Sequence, residues 1–153
     1  MKHLDEVDVQ ILNLLQKDGR MTNTDLAKHV GLTAPSALQR VRSLEKAGFV
    51  KGYSAQLDPE KLGLRLTAFT FIALALHQDL AIERFRKSIG DLPEVLECYH
   101  ISGEFDFMLK VLVKDIRSYE AFIREKLSRV KGVGKIQTSF VMGVPKHTTK
   151  LPL

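Results

Sequence analysis

The spacing of hydrophobic positions changes once along this chain, and the change separates a helical part from a part rich in strands. Over residues 4–47 apolar side chains recur every three to four positions, which is the period of amphipathic helices. After residue 65 they alternate or form short continuous runs, which indicates strands interrupted by helices. We therefore expect two domains, spanning 1–57 and 66–153, joined by a hinge over 58–65 with the sequence DPEKLGLR.

The N-terminal part carries the pattern of a helix-turn-helix. Helices are predicted over 4–17, 22–30 and 33–47, the last with the sequence TAPSALQRVRSLEKA. About three residues centred on Gly31 join the second and third helices, and glycine is suited to the tight turn that so short a connection requires. A short helix, a glycine turn and a second helix with a polar outer face are typical of DNA-binding proteins.

The third predicted helix has the side chains of a recognition helix. Thr33 can cap it and Pro35 suits its first turn. Serine and glutamine side chains on its outer face can pair with base edges, and Arg40 and Arg42 on its two flanks can reach a base or a phosphate. For an isolated helix an ordinary solvated surface is the alternative, but the preceding helix and turn favour DNA. We expect base contacts from Ser36, Gln39 and Arg40. The full predicted DNA-binding set is Thr33, Pro35, Ser36, Gln39, Arg40, Arg42, Ser43, Lys46, Lys51 and Tyr53.

A small hairpin is predicted directly after the recognition helix. Residues 49–57, FVKGYSAQL, read as strand, glycine turn and strand, with Lys51 and Tyr53 at the tip. These two side chains could contact backbone phosphates together with Arg42 and Lys46. The alternative is a connector that only packs against the helices.

The C-terminal part follows the order β-α-β-β-α-β, which predicts a ferredoxin-like domain with an antiparallel sheet and helices on one face. The fold class is therefore α+β. Strands are expected over 66–76, 95–101, 107–113 and 136–142, and helices over about 80–90 and 116–130. The strands 66–76 and 107–113 are apolar on both faces, and two helices cover only one of them. A second copy of the chain is expected to cover the other face, which makes the protein at least a dimer.

Composition limits the remaining possibilities. The single cysteine, Cys98, excludes an internal disulfide and fits a reducing cytoplasm. No apolar run reaches the length of about 20 residues that spans a membrane, and the N-terminus lacks an apolar signal core. The net charge of +5 is spread over the chain, but residues 33–53 hold four basic residues and one acidic residue. We expect a cytoplasmic protein with no membrane association and a local basic surface near the recognition helix.

Enzyme and metal motifs are missing from the sequence. It has no nucleophile elbow, phosphate-binding glycine loop or HExxH motif. Cys98 and His100 could form half a metal site, but no second pair completes it, and a core cysteine beside an ordinary histidine is expected. We predict no catalytic residue, no metal and no cofactor.

The segment ISGEFDFML, a predicted turn between two apolar strands, holds the most interesting carboxylates. Gly103 permits a close approach of the backbone, and Glu104 or Asp106 beside turn N–H groups could hold a small zwitterion. A general acid–base pair and a plain hairpin turn are the alternatives.

Several motifs together resemble one family along the whole chain. LDEVDVQILNLLQKDGR resembles the first helix of the leucine-responsive regulatory protein/AsnC (Lrp/AsnC, feast/famine) transcription regulators. LAKHVGLTAPSALQRVRSLEKAGFVKGYSAQLDPEKLG resembles their winged helix-turn-helix and hinge, SGEFDFML their G-x-x-D-[YF] sensing turn, and GKIQTSFVM their last strand.

The resemblance implies a transcription regulator that binds double-stranded DNA and responds to an amino acid or related metabolite. It implies homodimers formed through the sheets that assemble further, here most simply into an octamer. It places the effector near the turn and near polar positions of an adjacent subunit's last strand. The implied ligand-binding residues are Tyr99, Ser102, Gly103, Glu104, Asp106, Thr138 and Ser139. A ligand-binding oligomer without specific DNA binding is the alternative, and an enzyme using Glu104 and Asp106 is a third.

Overall fold

The computed structural model describes residues 3–75 and 79–153, and the chain divides into two compact units. The first unit comprises residues up to 56 together with 146–153, and the second comprises 57–145. The predicted domain boundaries and the cytoplasmic location stay predictions. Within the described residues, no helix combines the length and apolar character needed to cross a bilayer.

Three helices form the first unit, close to the predicted positions. They are α1 (Glu6–Lys17), α2 (Asn23–Val30) and α3 (Ala34–Lys46). Gly31 ends α2 with a φ of 67°, the left-handed conformation that directs the chain into α3. Each helix begins after a side chain that accepts a hydrogen bond from the first turn, and these capping residues are Asp5, Thr22 and Thr33.

The core of the first unit lies where the three helices meet. Each helix supplies a stripe of apolar side chains at helical spacing, so the opposite face of α3 stays polar and exposed. Leu12 of α1 is only 7% exposed and belongs to this core. The buried core residues are Ile11, Leu12, Leu26, Ala27, Ala37, Val41 and Leu44.

The hairpin predicted over 49–57 is wrong, because residues 50–57 contain no strand. The segment packs on the helices instead. The Tyr53 hydroxyl donates to Glu45 Oε1 at 3.0 Å. The Tyr53 ring packs against Gly19, because a Cβ added to Gly19 would lie 3.1 Å from the ring atom Cδ1. A lone two-stranded hairpin is marginally stable, so contacts with the helices replace a cross-strand ladder. The predicted alternative, a packed connector, describes this segment. Residues 59–63, in the predicted hinge, form hydrogen-bonded turns, in which the Leu62 N–H donates to the Pro59 carbonyl at 3.1 Å and the Gly63 N–H to the Glu60 carbonyl at 3.0 Å.

The second unit is a ferredoxin-like α+β domain. Its four strands lie in the order β2-β3-β1-β4, and all neighbours are antiparallel. The elements are β1 (Leu66–Leu74), α4 (Asp79–Gly90), β2 (Val95–His100), β3 (Phe107–Val113), α5 (Ile116–Glu125) and β4 (Val133–Phe140). The prediction of two βαβ halves in one antiparallel sheet is confirmed.

Several boundaries in this unit differ from the prediction. Leu76, expected at the end of the first strand, lies outside the described residues. The helix expected over 116–130 ends at Glu125, and a 3₁₀ turn, Leu127–Arg129, follows it. The last strand, β4, begins at Val133 and not at the predicted residue 136, because Gly134 is part of the strand. A Cβ on Gly134 would lie 3.1 Å from the Ala73 carbonyl oxygen, where β1 is irregular.

The sheet has one covered face and one open face. Alternate residues of β1, from Ala68 to Leu74, are buried in a core to which both helices contribute. The intervening residues, including Phe69 and Phe71, stay partly exposed. Residues of β3 alternate in the same way, with Met108, Lys110 and Leu112 partly exposed. We call the surface formed by Thr67, Phe69, Phe71, Ala73, Met108, Lys110 and Leu112 the open face.

Candidate nucleic-acid interface and sensing turn

The outer surface of α3 presents the polar side chains expected of a DNA-reading helix. Ala37, Val41 and Leu44 are buried in the core, which fixes the rotation of the helix. Most of the exposed polar side chains are therefore amide, hydroxyl and cationic groups, with Glu45 the exposed carboxylate. Gln39, Arg42, Ser43 and Lys46 are exposed, and Ser36 is partly exposed. Pro35 is exposed in the first turn, and Thr33 caps the helix with a hydrogen bond from the Ser36 N–H at 3.4 Å.

Arg40 does not extend outward like these residues, because α1 holds its guanidinium. Nη1 donates to both carboxylate oxygens of Asp5, at 2.9 and 2.7 Å, and to Asp8 Oδ1 at 2.9 Å. The Asp8 side chain is 3% exposed and that of Arg40 is 33% exposed. The hydrogen bond from Arg40 also holds the pKa of the Asp5 carboxyl below its usual value. The arrangement ties the middle of α3 to the start of α1.

Three cations remain available for phosphates. Arg42, Lys46 and Lys51 are exposed, and in the described part of the chain none of them forms an ion pair. Tyr53 is half exposed, but its hydroxyl is already engaged with Glu45. Burial, with a smaller contribution from that hydrogen bond, raises the Tyr53 pKa. The structure therefore offers three cationic side chains and one occupied hydroxyl around α3.

The turn between β2 and β3 is held to β1 by Asp106. Its Oδ2 accepts the Leu74 N–H at 2.7 Å, and its own N–H donates to the Ile72 carbonyl at 2.8 Å. The Asp106 carbonyl accepts the Ile101 N–H at 2.9 Å. Gly103 adopts a φ of 121°, which favours glycine. Asp106 thus fixes the position of the turn.

Glu104 extends from the same turn into an ion pair. Its Oε1 lies 2.6 Å from Lys135 Nζ on β4, and both side chains are more than half exposed. The Lys135 ammonium also lies 5.0 Å from the centre of the Phe105 ring, which packs at 5.6 Å from the ring of Phe71. An anion, a cation and an apolar surface therefore meet at one edge of the sheet. Sequence reasoning missed Lys135 and Phe105, although Lys135 is the one charged residue of its strand.

The other predicted ligand residues lie apart from this group. Ser102 is exposed in the turn, whereas Tyr99 lies on β2 and donates its hydroxyl to Glu97, which raises the Tyr99 pKa. Ser139 lies opposite Phe69 on β4, at the other edge of the sheet from β2. One chain does not bring Tyr99 and Ser139 together.

Thr138 faces the helices. Its hydroxyl lies 2.6 Å from the Tyr119 hydroxyl, which lies 2.8 Å from that of the fully buried Thr70. These three hydroxyls satisfy one another inside the second unit. This series of hydrogen bonds could not be predicted from the sequence, because the three residues come from β1, α5 and β4, which are far apart along the chain.

Cys98 is exposed, so the expectation of a core cysteine is wrong. It lies on β2, an edge strand of the described sheet, opposite Leu109 of β3. His100 stacks on Phe107 at 4.9 Å, and its Nδ1 lies 3.3 Å from Arg86 Nη2. Within residues 3–75 and 79–153, no three His, Cys, Asp or Glu side chains are grouped as metal ligands would be.

A helix-turn-helix with an exposed polar helix, followed by a ferredoxin-like domain with a polar turn, defines a two-domain DNA-binding regulator. Family models match both parts: a winged helix-turn-helix DNA-binding model over residues 4–51, and an Lrp/AsnC ligand-binding domain model over 67–151. The chain belongs to the Lrp/AsnC family of transcriptional regulators.

Individual relatives match almost end to end. The leucine-responsive regulatory protein of Escherichia coli K12 is 41% identical over 150 residues, which cover 98% of this chain and 92% of that protein. A transcriptional regulator of Neisseria meningitidis in complex with L-Met matches with a TM-score of 0.93 and 39% identity, over 98% of this chain and 97% of that one. An AsnC family regulator of Agrobacterium tumefaciens matches with a TM-score of 0.91 and 35% identity, over 97% of each chain. This protein is therefore a DNA-binding transcription regulator with a ligand-binding domain, and not an enzyme.

Proposed function

We propose that this regulator senses an amino acid at the turn around Gly103 and changes its DNA binding in response. The observation that carries the proposal is the exposed Glu104–Lys135 ion pair beside two phenylalanine rings. A similar regulator, that of Neisseria meningitidis, has been crystallised with L-Met. Both charged ends and the apolar side chain of such a ligand have chemically matched partners here.

The ion pair suits a zwitterion because it is easily opened. Ion pairs between exposed side chains contribute only about 0–1 kcal/mol, so separating Glu104 from Lys135 costs little. The ligand ammonium would bind the Glu104 carboxylate, and the ligand carboxylate would bind the Lys135 ammonium. Its side chain would lie against Phe71 and Phe105. Asp106 has a positioning role, because its carboxylate already holds the Leu74 N–H.

A second copy of the chain completes the effector response. The open face of the sheet is proposed to pack against its copy in a homodimer, and dimers would assemble further, with an octamer as the simplest case. Tyr99, Ser102 and Ser139 remain predicted ligand neighbours, with Ser139 supplied by an adjacent subunit. Thr138, predicted with them, instead has its hydroxyl engaged with Tyr119. The effector acts only if it binds two assemblies, or two arrangements of the DNA-binding units, with unequal affinity.

The first unit is proposed to place α3 in the major groove. Ser36 and Gln39 would contact base edges, while Arg42, Lys46 and Lys51 would hold phosphates. Arg40 is assigned to positioning α3 on α1 in place of the base contact expected from the sequence. A dimer would present two such helices to half-sites about 34–36 Å apart.

Titration of the full-length protein with each of the twenty amino acids tests the sensing site. We expect calorimetry to find a binding amino acid, and a gel shift on the protein's own upstream DNA to change when that amino acid is added. Glu104→Gln should then weaken its binding by at least about tenfold, since a hydrogen bond to a charged group contributes about 1.5–3 kcal/mol.

Glu120→Gln is the matched control. Glu120 is also an exposed glutamate of the second unit in an ion pair, with Arg124 at 3.0 Å, but it lies on α5. The control should keep the affinity of the unsubstituted protein. Unchanged affinity in Glu104→Gln would place the effector site elsewhere.

A further inference from the structure

A shallow basic depression lies in the second unit, at some distance along the chain from the helix-turn-helix. It has a volume of about 400 Å³ and is formed by α4, the 3₁₀ turn and the residues beside them. Its lining side chains include two arginines and three lysines, all exposed. We call the surface formed by Arg84, Lys87, Ser88, Lys126, Arg129, Val130 and Lys131 the basic depression.

The charge of this surface is not a consequence of a basic domain. Residues 57–145 hold 13 Lys and Arg against 12 Asp and Glu, so the second unit as a whole is close to neutral. Five of its cations are nevertheless gathered in one depression whose described lining has no carboxylate. Gathering like charges is unfavourable unless an anion compensates them.

Within the described residues, one of the five cations is neutralised by an ion pair. Lys126 pairs with Glu94 at the edge of the depression. Among the described residues, no carboxylate lies within ion-pair distance of the remaining four, Arg84, Lys87, Arg129 and Lys131. Four cations that line one depression of about 400 Å³ repel one another, and salt screens such repulsion only beyond about 8 Å at physiological ionic strength.

We infer that the basic depression binds the sugar-phosphate backbone of DNA, which makes the second unit a DNA contact surface in addition to α3. The depression is open and its cations end in flexible, exposed side chains, which suits a row of phosphates and gives no base readout. A site for one small anion needs converging donors in an enclosed cavity. DNA is already the partner of this regulator, so its phosphates are the polyanion that this surface would meet.

Salt dependence of DNA binding separates this surface from α3. Each phosphate contact adds about 0.9 to the slope of log affinity against log salt concentration. We compare the full-length protein with its Arg129→Gln/Lys131→Gln variant on a long fragment of its own upstream DNA, between about 50 and 200 mM salt. The slope should fall by about 1–2 for each protomer in contact. Arg84→Gln/Lys87→Gln, on the α4 side of the depression, should reproduce the effect.

The matched control removes the same two charge types elsewhere in the second unit. Lys114 and Arg117 are exposed at the start of α5 and do not line the depression. Lys114→Gln/Arg117→Gln should leave the slope unchanged. Equal slopes for all variants, or equal losses in the control, would overturn the proposal.

A second arm distinguishes DNA phosphates from a free anion. Inorganic phosphate is titrated into the same proteins by calorimetry. We expect the heat of phosphate binding to be the same for the unsubstituted protein and for the Arg129→Gln/Lys131→Gln variant. Phosphate binding that depends on Arg129 and Lys131, with an unchanged DNA slope, would identify a small-anion site and reject the DNA contact.

Discussion

Asp8 is a nearly buried carboxylate of α1, and Arg40 is the cation that compensates it. Burying a carboxylate is costly unless it is paired and hydrogen-bonded, so the guanidinium has a structural task before any contact with DNA. Nη1 also holds Asp5, whose carboxylate caps α1 by accepting the Asp8 N–H at 2.7 Å. A single side chain of α3 therefore supports both the start of α1 and the placement of the DNA-reading surface.

Arg40→Ala should destabilise the first unit and weaken DNA binding on all sequences alike. It leaves the buried Asp8 carboxylate without this partner, and losing a hydrogen bond to a charged group costs about 1.5–3 kcal/mol. Hydrogen exchange of the α1 and α3 amides in the full-length protein measures the loss. Competition binding with operator and scrambled DNA measures the effect on specificity.

Arg42→Ala is the control for that experiment. Arg42 is an exposed arginine of the same helix without an ion pair among the described residues, so amide protection should change by less than about 0.5 kcal/mol. Its DNA affinity should fall through loss of a phosphate contact. If Arg40→Ala kept full protection and relaxed the preference at one base position, Arg40 would be a base-reading residue.

The sequence indicated which side of α3 is buried, but not the role of Arg40. Helical spacing placed Arg40 on the flank of the helix, where it could face either DNA or a neighbouring element. The choice depends on Asp5 and Asp8, which lie 35 and 32 positions away in the sequence. Capping by Thr33 and the turn at Gly31 were predictable because they involve only residues within a few positions.

At the scale of elements, the C-terminal segment 146–153 belongs to the first unit. The Gln16 side chain accepts the Leu151 N–H at 2.6 Å and donates to the Leu151 carbonyl at 3.4 Å. Leu151 and Leu153 line an apolar pocket of about 380 Å³ with residues of α1 and of the segment after α3. A unit of this size buries a small core, so additional apolar cover contributes appreciably to its stability.

Gln16→Ala should loosen this segment and destabilise α1. It removes both hydrogen bonds to Leu151, and a net contribution of about 1 kcal/mol is expected. The measurement is hydrogen exchange of the α1 amides together with limited proteolysis of residues 146–153. Gln10→Ala, an exposed glutamine of the same helix, should change neither readout. Equal proteolysis rates in the two variants would show that Gln16 does not hold the segment.

Element boundaries were predictable where local signals set them and not where packing did. In the part of the chain that the structure describes, the period of the apolar positions located the five α-helices and the four strands of the sheet. The early start of β4 depends on close contact of Gly134 with Ala73 across the sheet, which the sequence does not show. The predicted hairpin does not form because Tyr53 packs against Gly19 instead, which is again a contact between distant positions.

At the scale of the whole molecule, the open face is the side of the sheet that the helices of the second unit leave uncovered. Phe69 and Phe71 lie on it. Thr70, which lies between them in β1 and points to the opposite face of the sheet, is fully buried against the helices. An apolar sheet face that stays partly exposed is typical of an interface between subunits. The pattern was visible in the sequence as strands that are apolar on both faces. The partner that we propose for this face is a second copy of the chain, since a two-fold axis brings identical surfaces together.

Phe69→Asp should separate the dimer. The substitution removes two phenylalanine rings from a symmetric interface, at about 1.5–3 kcal/mol each, and places two carboxylates there instead. The dimer dissociation constant should rise more than about 100-fold, measured by sedimentation equilibrium of the full-length protein. Leu80→Asp is the control, because Leu80 is a 68% exposed residue of α4 away from the open face. DNA affinity should fall in Phe69→Asp alone, since a monomer presents one α3 to one half-site. A variant that remained dimeric with unchanged sedimentation would mean that the subunits meet through another surface.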